Sequence, residues 1–386
     1  MSNFEICHLI FFLECGFCNL TFMNLLVIAA SGIGCTIMFT PTLRALRKKF
    51  PDAKITFLGI SKGFVIPVEG SNLVDEVLVF DFKKDSLFNF KKIWGRLKFI
   101  QNLRKRKFDV SITAFPSNKW FFNFYAWMVG AKKRVTHFYK TSSLKNLSFL
   151  QNTKVKTDKN LHDVDQNLNL LKAFGKVPEV DKSLYFHISK ENEEFAKNFL
   201  QERNLLSKKL IGMHLGSSKD YSFDVKRWPE ENFAKLIGRI EREMKAKVLI
   251  FSEPNERKEI EELAKKFAVS PVIVCEDLKN AAAIIKRCNT MVSNDSGLMH
   301  IAVAMKTPVV AIFGPSHITR TRPYTDKAKV VVNEECNSCM KYPFASTSIR
   351  IVCDKERICL EGITVNEVYD ELAHFGAFKK IDRITH

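Results

Sequence analysis

Short, continuously apolar runs alternate along this chain with stretches in which apolar positions recur every three to four residues. From Met23 the runs are MNLLVIAA, AKITFLG, VDEVLVF and FDVSITA, the lengths and compositions of strands. Residues 36–50, after the first run, place Met38, Leu43 and Leu46 on one helical face. A second series follows: KLIGMHLG, KVLIFS, VIVC, TMVSN and PVVAIFG, separated by helical patterns at 230–243, 256–267 and 281–286. Strands that are apolar at successive positions are buried on both faces, as in a parallel sheet covered by helices. The expected fold class is therefore α/β, with two doubly wound Rossmann-like domains facing each other across a cleft.

Residues 175–190 (GKVPEVDKSLYFHISK) hold a proline and little helical period, so the junction is expected there. The expected domains are 23–182 and 183–366, followed by a C-terminal helix and tail at 367–386. A length of 386 residues is more than one ordinary core needs, and 46% hydrophobic with 26% charged side chains is a globular composition. Residues 1–22 lack a basic segment ahead of their short apolar stretch, which argues against a secretory signal. They are expected to be an extension outside the fold. No run of about eighteen uncharged apolar residues is present to span a bilayer. A cytoplasmic protein is expected, free or at the inner face of the cytoplasmic membrane.

Net charge is +18, which favours anionic partners. Residues 83–107 concentrate ten Lys or Arg against one acid, interleaved with Phe88, Phe90, Ile93, Trp94, Leu97, Phe99 and Ile100. Such a helix can lie on an anionic membrane face, or its basic side can simply be solvated. No recognition motif accompanies the charge, so nucleic acid is not expected as a partner.

Four constellations carry candidate chemistry. In SNDSGLMHIAVA a strand ends at Asn294, and Asp295, Ser296 and Gly297 turn into a helix bearing Leu298 and His300. Asp295 or Ser296 can cap that helix, whose first N–H groups favour an anion. In HLGSSKDYSFDVKRWPEE, Ser217, Ser218 and Lys226 suit a diphosphate, while Trp228 is read as a packing residue. In IFSEPNERKE, Glu256 stands where a carboxylate could accept from ribose hydroxyls, with Glu253 as the competing choice. In AASGIGCTIMFTP, Gly32 and Gly34 allow a tight turn, but Ile37 occupies the third glycine position of a dinucleotide fingerprint. Gly32, Gly34 and Thr36 are therefore assigned to an acceptor-side loop. Asp163 and Asp165 match a D-x-D pattern but fall inside a predicted helix, and are set aside.

The last four of ten cysteines, Cys336, Cys339, Cys353 and Cys359, form C-x-x-C, thirteen residues, C, five residues, C. They are read as reduced thiols, with tetrahedral zinc as the alternative. No metal is expected elsewhere.

Together these stretches resemble the heptosyltransferase family, glycosyltransferase family nine, of GT-B fold. The likeness runs from Met23 to about Val368. It includes T-P-x-L-R-A-L from Thr40, FPDA, HDVDQNLNLL from His162, KRWPEENFAKL and D-S-G-L-x-H-x-A-x-A from Asp295. It implies metal-independent, inverting transfer from a nucleotide sugar, with ADP-linked heptose the first choice, to a lipopolysaccharide core or other cell-envelope glycan. By the same likeness the second domain holds the donor and the first the acceptor. Ser217, Ser218 and Lys226 would hold the diphosphate and Glu256 the ribose. Asp295, Ser296, Gly297, Leu298 and His300 would surround the donor sugar and phosphates. No cofactor is implied. Where family members often carry an aspartate base after the glycine of the opening turn, this chain has Cys35. An unperturbed thiol near pKa 8.5 is mostly protonated at neutral pH. The alternatives are a nucleotide-sugar epimerase of similar architecture and a catalytically impaired nucleotide-sugar-binding protein.

Overall fold

The computed structural model describes residues 23–29, 32–80, 90–140, 144–216, 225–265, 269–344, 346, 353, 355 and 357–376. The 1–22 extension, the end of the tail, Ser217, Ser218 and the start of the basic run lie outside the described residues.

The described residues form two sheets, each of six parallel strands. The first contains β1 (Asn24–Ala29), β2 (Lys54–Gly59), β3 (Glu76–Val79), β4 (Val110–Thr113), β5 (Lys133–Phe138) and β6 (Thr153–Lys156). Their order is β3-β2-β1-β4-β5-β6. The second contains β7 (Leu210–His214), β8 (Lys247–Phe251), β9 (Val272–Val274), β10 (Thr290–Asn294), β11 (Val309–Phe313) and β12 (Ala328–Val332). It is ordered β12-β11-β10-β7-β8-β9, the same connectivity repeated. In each sheet the chain reverses direction of growth at one place, between β1 and β4 and between β7 and β10. Ligands of open α/β sheets bind at the carboxyl ends of the strands at that switch point.

The covering helices include α1 (Gly32–Lys49), α2 (Phe90–Lys105), α3 (Trp120–Val129), α4 (Asp163–Asn169) and α5 (Lys190–Glu202). After these come α6 (Glu230–Glu243), α7 (Arg257–Ala264), α8 (Leu278–Ile285), α9 (Gly297–Ala304) and α10 (Val365–Gly376). Alternation along β1 explains the layering: Leu25, Val27 and Ala29 join one buried cluster, whereas Leu26 and Ile28 join another. The first of these clusters continues through Met299, Ile301 and Ala302 of α9, so the two sheets share apolar contact across their junction.

The expected helix at 36–50 starts earlier. Gly32 takes φ +79°, open to a residue without Cβ, and is already the first residue of α1. The last turn of α1 carries Arg47, Lys48 and Lys49, which suit its negative end. Two of these, with Arg44, tie it to the segment before α5. Arg44 Nη1 donates to the Ser183 carbonyl at 3.0 Å, Lys48 Nζ to the Glu179 carbonyl at 2.7 Å, and Lys49 Nζ to the Lys176 carbonyl at 3.0 Å. That segment has no regular structure and is laid along α1 by these bonds.

Candidate functional site

The chain positions its chemistry at the two switch points. At the end of β10, the buried Asn294 side chain accepts from the Trp228 N–H at 3.0 Å and donates to the Leu215 carbonyl at 2.9 Å. One amide thus fastens the loop after β7 to the end of β10. Trp228 is fully buried, and its indole N–H donates to the Ile363 carbonyl at 3.0 Å, so it packs rather than stacks on a ligand. Two residues upstream, Lys226 Nζ reaches Asp295 Oδ2 at 2.8 Å, with both side chains largely buried. Burial alone would raise the Asp295 carboxyl, but the Lys226 ammonium holds it below its ordinary value.

Ser296 occupies the N-cap position of α9, yet neither it nor Asp295 caps the helix through its side chain. The Ser296 hydroxyl lies 3.0 Å from His214 Nδ1 and 3.1 Å from Ser293 Oγ, while the Asp295 carboxylate is taken by Lys226. The expected side-chain cap is thereby corrected: both candidates have stronger partners elsewhere. The helix end is left with backbone N–H groups and a positive dipole. Leu298, one residue in, is partly buried against the core.

The opening turn of the first domain meets this helix. A Cβ built on Gly34 would stand 2.7 Å from His300 Cδ2, and one on Gly297 would stand 3.6 Å from Ile33 Cβ. Glycine at 34 therefore allows the amino ends of α1 and α9 to approach this closely, whereas a Cβ at 297 would make only ordinary contact. Thr36 is buried, its hydroxyl donating to the Gly32 carbonyl at 3.4 Å inside the first turn. His300 is buried, its Nδ1 has no hydrogen-bond partner, and burial lowers its pKa to about 4. It is a neutral imidazole at physiological pH.

Cys35 is half-buried on α1, among Asp163, Arg320, Asp295 and Lys226. Burial, and then the Asp163 carboxylate, push its thiol up to about 12. The group standing where the family's base is expected is thus a thiol that keeps its proton.

Glu256 lies beside Arg227, Oε1 to Nη2 at 3.7 Å, and a Cβ on Gly216 would stand 3.7 Å from its other oxygen. It ends the single turn Pro254–Glu256 rather than opening the helix, since α7 runs over Arg257–Ala264. Glu253 is exposed. The structure thus gathers Gly34, Cys35, Lys226, Asp295, Gly297 and His300, and places Glu256 near the β7 end.

Sequence reasoning missed one pair. Arg320, in the turn after β11, grips Asp163 of α4 with two parallel bonds, Nε to Oδ1 at 3.0 Å and Nη2 to Oδ2 at 2.8 Å, almost fully buried. Arg320 also donates to the Tyr342 carbonyl at 2.8 Å. Burial raises the Asp163 carboxyl against the pull of the guanidinium. Next to it His162 accepts from the Val164 N–H at Nδ1, so its Nε2–H donates to the Arg322 carbonyl at 2.8 Å. These bonds lock the first domain's α4 to the second domain's chain. The D-x-D pattern was the available signal, and it points to a cation of the protein itself.

None of Cys336, Cys339, Cys353 and Cys359 is in a disulfide. They gather near one another: burial first, and then the other three, push the Cys359 thiol up to about 11. Among the described residues no group of three or more His, Cys, Asp or Glu is arranged to hold a metal ion.

Comparison with known proteins agrees with this geometry. The family model described as glycosyltransferase family 9 (heptosyltransferase) matches residues 96–348. The chain is 26% identical over 333 residues to lipooligosaccharide heptosyltransferase 2 of Campylobacter jejuni subsp. jejuni serotype O:2, covering 83% of this chain and 90% of that one. The fold superposes with a TM-score of 0.76 on a family 9 glycosyl transferase of Veillonella parvula, at 24% identity over 92% of this chain and 98% of that one. It superposes with a TM-score of 0.67 on Escherichia coli heptosyltransferase WaaC with ADP-2-deoxy-2-fluoro heptose, at 18% identity over 91% of this chain and 99% of that one. With the two-sheet architecture matched end to end and the family model covering more than half of its length, the chain belongs to glycosyltransferase family 9, the heptosyltransferases.

Proposed function

We propose that this glycosyltransferase moves heptose or a related sugar from a nucleotide diphosphate donor, ADP-linked heptose first, to a lipopolysaccharide core or similar envelope glycan. The donor occupies residues 183–366 and the acceptor residues 23–182, with attack and departure on opposite faces of the sugar. The observation that carries this reading is the amino end of α9, uncapped by side chains and set beside Lys226 at the switch point of the second sheet. As the glycosidic bond to the diphosphate breaks, negative charge grows on the leaving group. An ammonium and oriented N–H groups in a water-poor cleft stabilise that charge without reorganising. The reading therefore assigns the step to protein groups and not to a metal.

Ser217, Ser218 and Lys226 are assigned to the diphosphate and Glu256 to the ribose. Asp295, Ser296, Gly297, Leu298 and His300 are assigned to the donor sugar and its phosphates, and Gly32, Gly34 and Thr36 to the acceptor. Two comparisons support the donor class: the Campylobacter relative is named a heptosyltransferase, and the Escherichia coli neighbour holds an ADP-linked heptose analogue. The work is placed in the cytoplasm, at the inner face of the membrane that carries a lipid-linked acceptor. Among the described residues no helix is long and apolar enough to cross a membrane.

Thermal unfolding with a panel of nucleotide diphosphate sugars tests the proposal. A ligand bound only by the native state raises the melting temperature, by about 2.7 kcal/mol of stabilisation at a hundred times its Kd. ADP-heptose is expected to shift the transition more than UDP- or GDP-linked hexoses do. Lys226→Ala is expected to lower kcat/KM for the donor roughly a hundredfold. No shift with any nucleotide sugar, or a Lys226→Ala enzyme as active as the parent, would remove the site from the account. Cys35 favours one second reading, a protein that binds donor but turns over slowly for want of a base.

A further inference from the structure

Helix α3 turns aromatic side chains to the solvent. Trp120 is 50% exposed and Trp127 is 46% exposed. The Phe124 ring lies between them, its centroid 6.0 Å from that of Trp120 and 6.1 Å from that of Trp127. Positions 120, 124 and 127 share one stripe of a helix. The buried stripe is Phe122, Asn123, Ala126 and Val129, already enough to hold α3 against the sheet. Its sequence, WFFNFYAWMV, contains no charged residue on any face. A surface helix ordinarily reserves its outer face for polar groups, and this one does not.

The neighbouring segment extends the patch. Asn123 Nδ2 donates to the Asn146 carbonyl and Gln151 Nε2 to the Asn123 carbonyl, each at 2.7 Å, so residues 144–151 are pinned beside α3. They add Leu144, 79% exposed, and Phe149, 57% exposed. Exposed apolar side chains concentrated on one helix stripe and the segment bonded beside it mark an interaction face.

Charge selects the occupant. From Val110 to Thr157 the chain holds eight Lys or Arg and no Asp or Glu. Lys140 and Lys145 stand exposed on either side of Leu144. A second copy of this chain would bring the same positive face against itself. A partner that is both apolar and anionic resolves the conflict, and a phospholipid surface is both. Indole rings settle at the headgroup level of a bilayer, and each basic side chain near an anionic leaflet contributes about 1 kcal/mol. The face also adjoins the junction of the two domains. Asn118, just before α3, donates to the Pro343 and Ser346 carbonyls of the second domain at 2.6 and 2.8 Å.

We propose that α3 together with residues 144–150 is the surface by which this protein docks on an anionic lipid bilayer, with Trp120 and Trp127 seated among the headgroups. The proposal does not depend on the donor chemistry, because no residue of the donor-holding second domain belongs to this face, nor do Gly32, Gly34 or Thr36 of the acceptor-side turn. The basic helix α2 carries the neighbouring positive charge, but the apolar anchor is α3.

The test uses the full chain and vesicles of phosphatidylcholine with or without phosphatidylglycerol. The parent protein is expected to sediment with the phosphatidylglycerol vesicles. In a Trp94→Phe background, brominated lipid is expected to quench the remaining exposed tryptophans. Trp120→Ser/Trp127→Ser is expected to reduce partitioning at least about tenfold. Lys140→Glu/Lys145→Glu is expected to reduce it about tenfold, on the anionic vesicles alone. Unaltered melting temperatures in both variants would show that the surface and not the fold has changed, and the charge pair stands in should the tryptophan pair fold poorly. The proposal is overturned if the parent ignores both kinds of vesicle, or if the tryptophan variant partitions like the parent. It is equally overturned if the parent is a dimer that the tryptophan substitutions dissociate while vesicle binding persists.

Discussion

A single side chain decides how far the family's chemistry carries over. Cys35 sits on the first turn of α1, within electrostatic reach of the Lys226–Asp295 pair and the Asp163–Arg320 pair. A base must lose its proton near working pH, and a thiol pushed up to about 12 does not. Replacing it with a group that also keeps its proton should therefore matter little. Cys35→Ser is expected to change kcat by less than about threefold, within what a lost thiol contact accounts for. A carboxylate there has Arg320 and Lys226 nearby to keep it ionised, with Asp163 and Asp295 opposing. Cys35→Asp is expected to raise kcat by about a hundredfold, the lower end for general base catalysis, and to add an ascending acid limb to the pH profile. Steady-state rates of both variants from pH 5 to 9 check this. A Cys35→Ser enzyme that is dead would mean that the thiol itself takes part.

At the scale of elements, what could be read from the sequence was whatever a local pattern encodes. Strands β1, β2, β7, β10 and β11 are buried at nearly every position because helices cover both faces, and their apolar residues, fewest in β10, mark them in the sequence. The strands not anticipated lie toward the sheet edges. β5 begins with Lys133 and Arg134, β6 reads TKVK, and β12 carries Lys329 and is only partly buried, so solvent access weakens the apolar signature. The site divides in the same way. Asn294 to His300 is a strand end, turn and helix start within seven residues, and was legible. Asp163 and Arg320 are 157 positions apart, so nothing local could pair them. Their pair gives the interface between α4 and the second domain a strong expectation. Asp163→Ala leaves a guanidinium buried without its anion and is expected to cost roughly 3–5 kcal/mol. Asp163→Leu/Arg320→Met removes both charges and is expected to recover most of that loss. Urea unfolding of the two variants measures the difference. Equal destabilisation would show that the bidentate geometry contributes through packing alone.

For the whole molecule, the same cleft and core set a pH limit. His137, His162, His214 and His300 are buried, and burial lowers each to about 4. His137 shows why protonation is resisted. Its Nε2 faces the Gln166 carbonyl at 2.9 Å and so carries the hydrogen, while Nδ1 has no partner and lies away from water. Between about pH 6.5 and 4 the unfolded chain binds protons that the folded chain refuses. Stability therefore rises with pH across that window and falls as the solution is acidified. One such histidine loses roughly 1.4 kcal/mol per pH unit, and four together lose about 10 kcal/mol over two units, the size of an ordinary domain's entire stability. Asp295, held below its ordinary value by Lys226, stays ionised there and does not soften the loss. The melting temperature is expected to hold near pH 7.5 and to drop steeply below pH 6, with unfolding complete before pH 4. A melting temperature that stays level down to pH 4 would mean that these imidazoles accept protons in place, and that the cleft around His300 admits water.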